Sequence, residues 1–301
     1  MKPDLLVVGA GPCGVSAALW ARSLGLDVLV LEGATSPGGQ LLHVYAPPLN
    51  FAGAADGDGP ALAGRLGRQI EAAAVPVRYG DPARLLEAGA PVVHTVAGER
   101  FEAGAILIAS GVRRRPLDVP GVPELEGAGV SYSATQDRAG FAGEDVAVIG
   151  GGDAAFENAL LLAEVGCRIT MVVRSRARAR GDFLARVAAD PRIELIEDTR
   201  VTAIEGEDHV QAVRLEGARG AFSLPVAGLV IKVGVLPNSE WCRGAVECDP
   251  DGYPFVDERL ATSHPRAWAA GDVTRPPLFG LAAAVGQGAL AVEAIRSALK
   301  G

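Results

Sequence analysis

The sequence predicts an α/β fold built on two Rossmann-like dinucleotide-binding units, and three observations carry that prediction. Leu5–Gly33 and Val146–Arg174 align without a gap, so the chain contains one βαβ pattern twice. Glycine is used 39 times in 301 residues, about twice the average and with no three-residue period, which points to backbone held at positive φ or brought close to a ligand. Side chains that are 49% apolar and 21% charged supply enough core for one large domain or two medium ones, which excludes a disordered or fibrous chain.

Each copy reads in order as an apolar strand, a glycine turn, a helix with an apolar face, a glycine at the helix end and a second apolar strand. Gly9 matches Gly150, Gly11 matches Gly152, Gly14 matches Ala155 and Gly25 matches Gly166. In G-x-G-x-x-G/A the first glycine makes a tight turn and the second lets the backbone approach a pyrophosphate. The third small residue allows close helix packing, and the helix N-terminus offers free N–H groups to the phosphates. The copies differ where the second strand ends. Glu32 closes the first, placed to accept hydrogen bonds from the ribose hydroxyls of FAD or NAD. Val173 stands there in the second, followed by Arg174, Arg176, Arg178 and Arg180. No acid repels a 2′-phosphate, and guanidinium groups pair with one bidentately, so NADPH is expected over NADH; the alternative is that these arginines solvate a loop.

Composition narrows the partners. A net charge of −8 and a pI near 5.1 give no chain-wide basic footprint, which argues against nucleic acid. Lys2 and the apolar stretch Leu5 to Ala21 mimic a secretion signal, but Asp4 and Gly9-Ala10-Gly11-Pro12 fit a strand turning into a helix, so a retained, cytoplasmic segment is expected. The apolar run Leu281 to Val292 is interrupted by Gly286, Gln287 and Gly288 and is shorter than the roughly 20 residues of a membrane span, so no membrane association is expected. Cys13, Cys167, Cys242 and Cys248 form no C-x-x-C pair, which suits a reducing compartment. The four histidines make no metal-ligand spacing with them, and none is expected to hold a metal.

Four further segments complete a resemblance. Gly38-Gly39-Gln40-Leu41, Ala109-Ser110-Gly111 followed by Pro116, Gly234-Val235-Leu236-Pro237-Asn238 and Ala269-Ala270-Gly271-Asp272-Val273 accompany the two fingerprints over nearly the whole chain. Together they resemble the low-molecular-weight thioredoxin reductase-like branch of the two-dinucleotide-binding flavoproteins. The resemblance implies an FAD-containing, NAD(P)H-dependent oxidoreductase, a homodimer, whose domains are of the three-layer ββα type, one inserted into the other. The FAD domain would comprise residues 1–115 and 237–301, and the NAD(P)H domain residues 116–236. Rotation about the hinge segments brings nicotinamide to flavin in the enzymes resembled.

It also implies the binding residues. FAD would lie against Gly9, Gly11, Pro12, Cys13, Gly14 and Glu32, then Gly39, Gln40, Leu41 and Asn50, then Ala109, Ser110 and Gly111. From the C-terminal segment come Gly271, Asp272 (whose counterpart binds the ribityl chain), Phe279, Leu281 and Ala282, at the start of a helix over about 282–299. NADPH would lie against Gly150, Gly152, Asp153, Ala154 and Ala155, with Arg174, Arg176 and Arg178.

The sequence departs from the family at its redox centre. Ser133-Ala134-Thr135-Gln136-Asp137 stands where the named reductases carry C-A-T-C-D, so no dithiol relays electrons to thioredoxin. Asp137 keeps the place of the family's proton-handling acid, as a candidate catalytic group or as a turn carboxylate. Phe279, where the family has an Arg-Gln pair, either caps the flavin or fills the core. Cys13 lies at a helix N-terminus, which favours thiolate; bacillithiol disulfide reductases resemble this chain and carry a G-P-C-G segment, so Cys13 is the second candidate catalytic residue, or else a small packing group.

Three functions follow. The first passes electrons from flavin to an external acceptor: a ferredoxin- or flavodoxin-type carrier, a quinone or oxygen. The second reduces a small disulfide through Cys13. The third is a flavin-binding module whose NADPH site is degenerate.

Overall fold

Four consecutive apolar residues, buried on both sides, make Leu5–Val8 the kind of strand found inside parallel sheets. In the computed structural model, which describes residues 2–45, 47–48, 50–52, 56–218 and 220–300, this is β1; α1 spans Pro12–Ser23 and β2 Val28–Glu32. Pro12 sits in the first turn of α1, where its missing N–H leaves no bond unmade. Gly9 turns the chain at φ +110°, and a Cβ on Gly14 would lie 1.8 Å from the Gly9 carbonyl oxygen, so the helix reaches the strand only because position 14 has no side chain. α2 (Gly59–Ala72) starts at Asp58, whose carboxylate accepts the Ala61 N–H at 3.0 Å. β3 (Val77–Tyr79), β4 (Ala83–Leu86), β5 (Val92–Thr95), β6 (Arg100–Glu102), β7 (Ala105–Ile108) and β8 (Val112–Arg114) follow.

The second repeat is framed by β9 (Val130–Ser131) and α3 (Ala134–Asp137) and consists of β10 (Asp145–Ile149), α4 (Asp153–Glu164) and β11 (Arg168–Val172). Then come α5 (Gly181–Ala189), β12 (Ile193–Ile196), β13 (Thr199–Gly206), β14 (Val210–Gly217), β15 (Gly220–Pro225), β16 (Gly228–Ile231) and β17 (Val235–Pro237). β18 (Ala267–Ala269) and α6 (Leu281–Lys300) end the chain. Among the described residues no helix is long and apolar enough to cross a membrane.

The chain divides into two units, Met1–Arg113 with Leu236–Gly301 and Arg114–Val235. The first unit holds a five-stranded parallel sheet in the order β18-β7-β1-β2-β3, with an antiparallel sheet β4-β5-β6. The period of two along β1 assigns its faces. Leu5 and Val7 join Val15, Ala291 and Ile295 on the helical side, while Leu6 and Val8 join Leu86 and Val93 on the side of the small sheet.

The second unit repeats the plan with β12-β11-β10-β16-β9 in parallel and β13-β14-β15 antiparallel. Val146 and Val148 pack against Phe156 and Leu162 of α4, and Ala147 and Ile149 against Val201 and Leu215 of the small sheet. Both units are therefore Rossmann-like, with a helical layer, a parallel sheet and a second sheet. In each, the order reverses beside the first strand of the repeat, which leaves a crevice at the carboxyl ends of the strands.

Candidate functional site

The crevice of the first unit is a cavity of about 550 Å³. The glycine turn supplies Gly9, Gly11, Pro12 and Cys13, the end of β2 supplies Glu32, and the turn after it Gly39 and Gln40. Ala109, Ser110 and Gly111 line it from the end of β7, and Asp272 from the segment after β18. The remaining candidates do not line it. Gly14 lies beneath the turn, Leu41 is buried with Leu62 and Ala63, and Leu281 packs on that cluster. Gly271 donates its N–H to Gln287 Oε1 at 2.7 Å. Asn50 and Ala282 are exposed, and Phe279, at 45% exposure, is not the core filler that was one of its two readings.

Several lining residues carry no sequence signal. Pro82 reaches the cavity from just before β4, Ala83 and Arg84 from its start, and Glu240 and Trp241 from beyond β17. Asn238 had one, as the last residue of Gly234–Asn238.

Fixed hydrogen bonds hold the wall. Glu32 accepts the N–H groups of Ala10 at 2.6 Å and Ala34 at 2.8 Å, so its carboxylate is held at the glycine turn with acceptor capacity left over. Gln40 Nε2 donates to the Val112 carbonyl at 2.8 Å. Ser110 Oγ donates to the Asn238 carbonyl at 2.6 Å, Asn238 Nδ2 returns a bond to the Ser110 carbonyl at 2.9 Å, and Arg113 Nη1 donates to Asn238 Oδ1 at 3.0 Å. Gly11 and Gly39 face one another closely enough that a Cβ on Gly39 would lie 3.2 Å from the Gly11 Cα.

Asp272 is the exception. Its buried Oδ1 has no hydrogen-bond partner among the described residues, and burial holds its carboxyl above the usual carboxylate range. A buried acceptor left bare in a cavity wall that also carries the glycine turn and the Glu32 carboxylate fits a dinucleotide that brings its own hydroxyls.

Cys13 overturns the thiolate expectation. Its side chain is 5% exposed, and its pKa is pushed up to about 12, first by burial and then by the charge of Asp272. Desolvation outweighs the helix N-terminus, so Cys13 is a protonated thiol at neutral pH. The other cysteines are also free thiols. Cys167 is buried and donates to the Phe141 carbonyl at 2.9 Å, and Cys242 donates to the Ser239 carbonyl at 3.1 Å.

In the second unit Gly150 turns at φ +140°, Gly152 faces open space, and Ala155 is buried under the turn. Ala154 is exposed on the first turn of α4. Asp153 accepts the Arg180 N–H at 2.8 Å and pairs with its Nε at 2.9 Å, which neutralises a carboxylate at a helix end that favours anions. The arginines divide. Arg176 is held by Glu197 at 2.9 Å, whereas the exposed Arg174 and Arg178 side chains have no ion-pair partner among the described residues. Asp137 accepts the Ser131 hydroxyl at 2.6 Å; Ser133 immediately precedes α3 and Gln136 lies within it.

Residues 3–298 match the model of a family described as pyridine nucleotide-disulphide oxidoreductase. The chain is 34% identical over 276 residues to the thioredoxin reductase of Streptomyces coelicolor, covering 90% of this chain and 85% of that one. It is also 34% identical over 296 residues to one subunit of the alkyl hydroperoxide reductase of Pseudomonas putida, where it spans 96% of its own length but only 56% of the relative's. Among solved structures, the thioredoxin reductase of Lactococcus lactis superposes with a TM-score of 0.84 at 28% identity, covering 99% of both chains.

Proposed function

Because the chain belongs to the pyridine nucleotide-disulphide oxidoreductase family, as a thioredoxin reductase-like, FAD-containing and NAD(P)H-dependent oxidoreductase, we propose that it draws electrons from NADPH and delivers them from the flavin directly to an external acceptor. The observation that carries this reading is the replacement of both thiols of the dithiol segment by Ser133 and Gln136. Neither side chain forms a disulfide. The acceptor is then a ferredoxin- or flavodoxin-type carrier, a quinone or oxygen.

FAD, when bound, supplies a centre that accepts two electrons together and releases them singly or in pairs. The chain's own residues bind and orient. Gly9 and Gly11 admit a pyrophosphate to the N-terminus of α1, and Glu32, held by two backbone N–H groups, takes the ribose hydroxyls. Asp272 Oδ1 would take a hydroxyl of the bound group at its bare acceptor, and the positive dipole end at the N-terminus of α6 would favour negative charge brought close to it. In the second unit Gly150 and Gly152 open the turn, and Arg174 and Arg178 bind the 2′-phosphate that separates NADPH from NADH. Small-disulfide reduction through Cys13 is disfavoured, because a buried thiol with its pKa near 12 supplies almost no nucleophile at neutral pH.

Anaerobic mixing with NADPH tests the reading. The flavin absorbance is expected to bleach and to return on adding oxygen, a quinone or a one-electron carrier, while thioredoxin is not reduced. A flavin inert to excess NADPH would mark a binding module instead. Turnover with thioredoxin would sink direct transfer.

A further inference from the structure

The strands flanking β10 end in different charges. β11 leads into Arg174, Arg176 and Arg178; on the other side β16, which pairs Ile231 with Ile149, leads directly into Lys232. The Lys232 backbone is part of the glycine turn. Its N–H donates to the Ile149 carbonyl at 2.7 Å, and its own carbonyl oxygen lies 2.2 Å from where a Cβ on Gly150 would be. The Lys232 backbone therefore borders Gly150, the first glycine of Gly150-Gly151-Gly152, by construction.

Its side chain is half-buried and makes no hydrogen bond or ion pair among the described residues. The charges acting on it are Arg114 of β8, which repels, and Glu157 of α4, which attracts. Burial and Arg114 outweigh Glu157 and lower the ammonium's pKa to about 8. A partly desolvated cation with no bonded partner is an unfavourable feature of the fold, relieved when an anion reaches it.

A dinucleotide in such a crevice lies across the carboxyl ends of the strands, with its pyrophosphate over the glycine turn. With the 2′-phosphate on the β11 side, its other half extends towards β16. We propose that Lys232 is a binding residue for the pyrophosphate of the nicotinamide dinucleotide, holding it from the side of the turn opposite the arginines. The inference rests on reading the second unit as an NADPH site. It divides the labour there: Arg174 reads the group that distinguishes NADPH from NADH, and Lys232 reads a group that both possess. An anion placed against Lys232 favours its charged form, so binding near pH 8 draws in a fraction of a proton.

Calorimetric titration of the oxidised holoenzyme with NADP+ and with adenosine 2′-monophosphate, at pH 8 in two buffers of different protonation enthalpy, tests this. Lys232→Met is expected to weaken NADP+ about ten- to a hundredfold, the loss of a charge-assisted contact. The same variant keeps wild-type affinity for adenosine 2′-monophosphate, which has no pyrophosphate. Lys232→Arg restores most of the NADP+ affinity, and proton uptake seen with wild type disappears in Lys232→Met. Unchanged NADP+ affinity in Lys232→Met overturns the inference, and so does equal loss of both ligands, the mark of a damaged unit. Wild type that binds neither ligand refutes the NADPH site itself, a failure separate from that of the lysine.

Discussion

Replacing Asp272 by Asn separates folding from flavin binding, because the two respond with opposite sign. Asp272 Oδ1 is buried without a partner among the described residues, and burial alone raises the carboxyl pKa. A group whose folded pKa lies above its unfolded value stabilises the fold at low pH, and that contribution is lost as pH rises through the folded value. Wherever that carboxyl is ionised in the flavin-free wild type, its charge is buried without compensation. An unsatisfied buried acceptor costs about 1–3 kcal/mol, more when ionised, and Asn removes the charge while keeping the shape. Flavin-free Asp272→Asn should gain about 1 kcal/mol, or about 2–4 °C in melting temperature for a unit of this size. The gain should shrink as the pH falls and the wild-type carboxyl takes up its proton. With flavin present the sign reverses: a hydroxyl donating to a carboxylate is worth about 1–2 kcal/mol more than one donating to an amide, so the Kd for FAD should rise about five- to thirtyfold. Thermal scans of flavin-free protein at neutral and acidic pH, with fluorescence titration of FAD, measure both. A variant that melts below wild type at neutral pH, or binds FAD equally well, refutes the reasoning.

The glycine turn offers a second separation of folding from binding. The nearest atom to a Cβ on Gly11 is the Gly39 Cα at 4.0 Å, so Gly11→Val should fold and melt like flavin-free wild type yet elute colourless, whereas Gly14→Val, with its Cβ 1.8 Å from the Gly9 carbonyl oxygen, should not accumulate as folded protein. Arg174→Ala should lower the NADPH/NADH ratio of kcat/KM ten- to a hundredfold, a loss of about 1.5–3 kcal/mol, and Arg176→Ala much less, because Glu197 already holds that guanidinium; equal ratios in Arg174→Ala and wild type would return the arginines to a solvated loop. Cys13, with its pKa raised to about 12, should resist alkylation in native protein at pH 8.5 and label on unfolding, and Cys13→Ala should keep its flavin; rapid native labelling at that position would show that burial does not control the thiol.

Both βαβ repeats are legible in the sequence because their determinants are local. The continuous apolar run Leu5–Val8, the positive φ of Gly9 and Gly150, and the missing Cβ of Gly14 depend on immediate neighbours along the chain or within one turn. Glu32 could be placed in the same way, at the end of a strand whose length the pattern sets. The resemblance supplied Asp272 and Asn238 through short motifs. Arg84 and Trp241 had no such signal, since each reaches the cavity from an element whose own sequence is indifferent to the ligand.

The sequence alone determined the two glycine turns, the strands that bear them and the identity of Ser133 and Gln136, neither of which carries a thiol, since these depend on backbone conformation and on which atoms a side chain possesses. Only the tertiary structure decided the charge states and the free partners. It buried Cys13 beside Asp272 and so raised its pKa, tied Arg176 to Glu197 while leaving the Arg174 side chain without an ion-pair partner among the described residues, and set the Lys232 backbone against Gly150 with its side chain under the opposed charges of Arg114 and Glu157. Desolvation and ion pairing depend on which distant segments come to lie within a few ångströms of a group, and those distances exist only once the sheets have assembled.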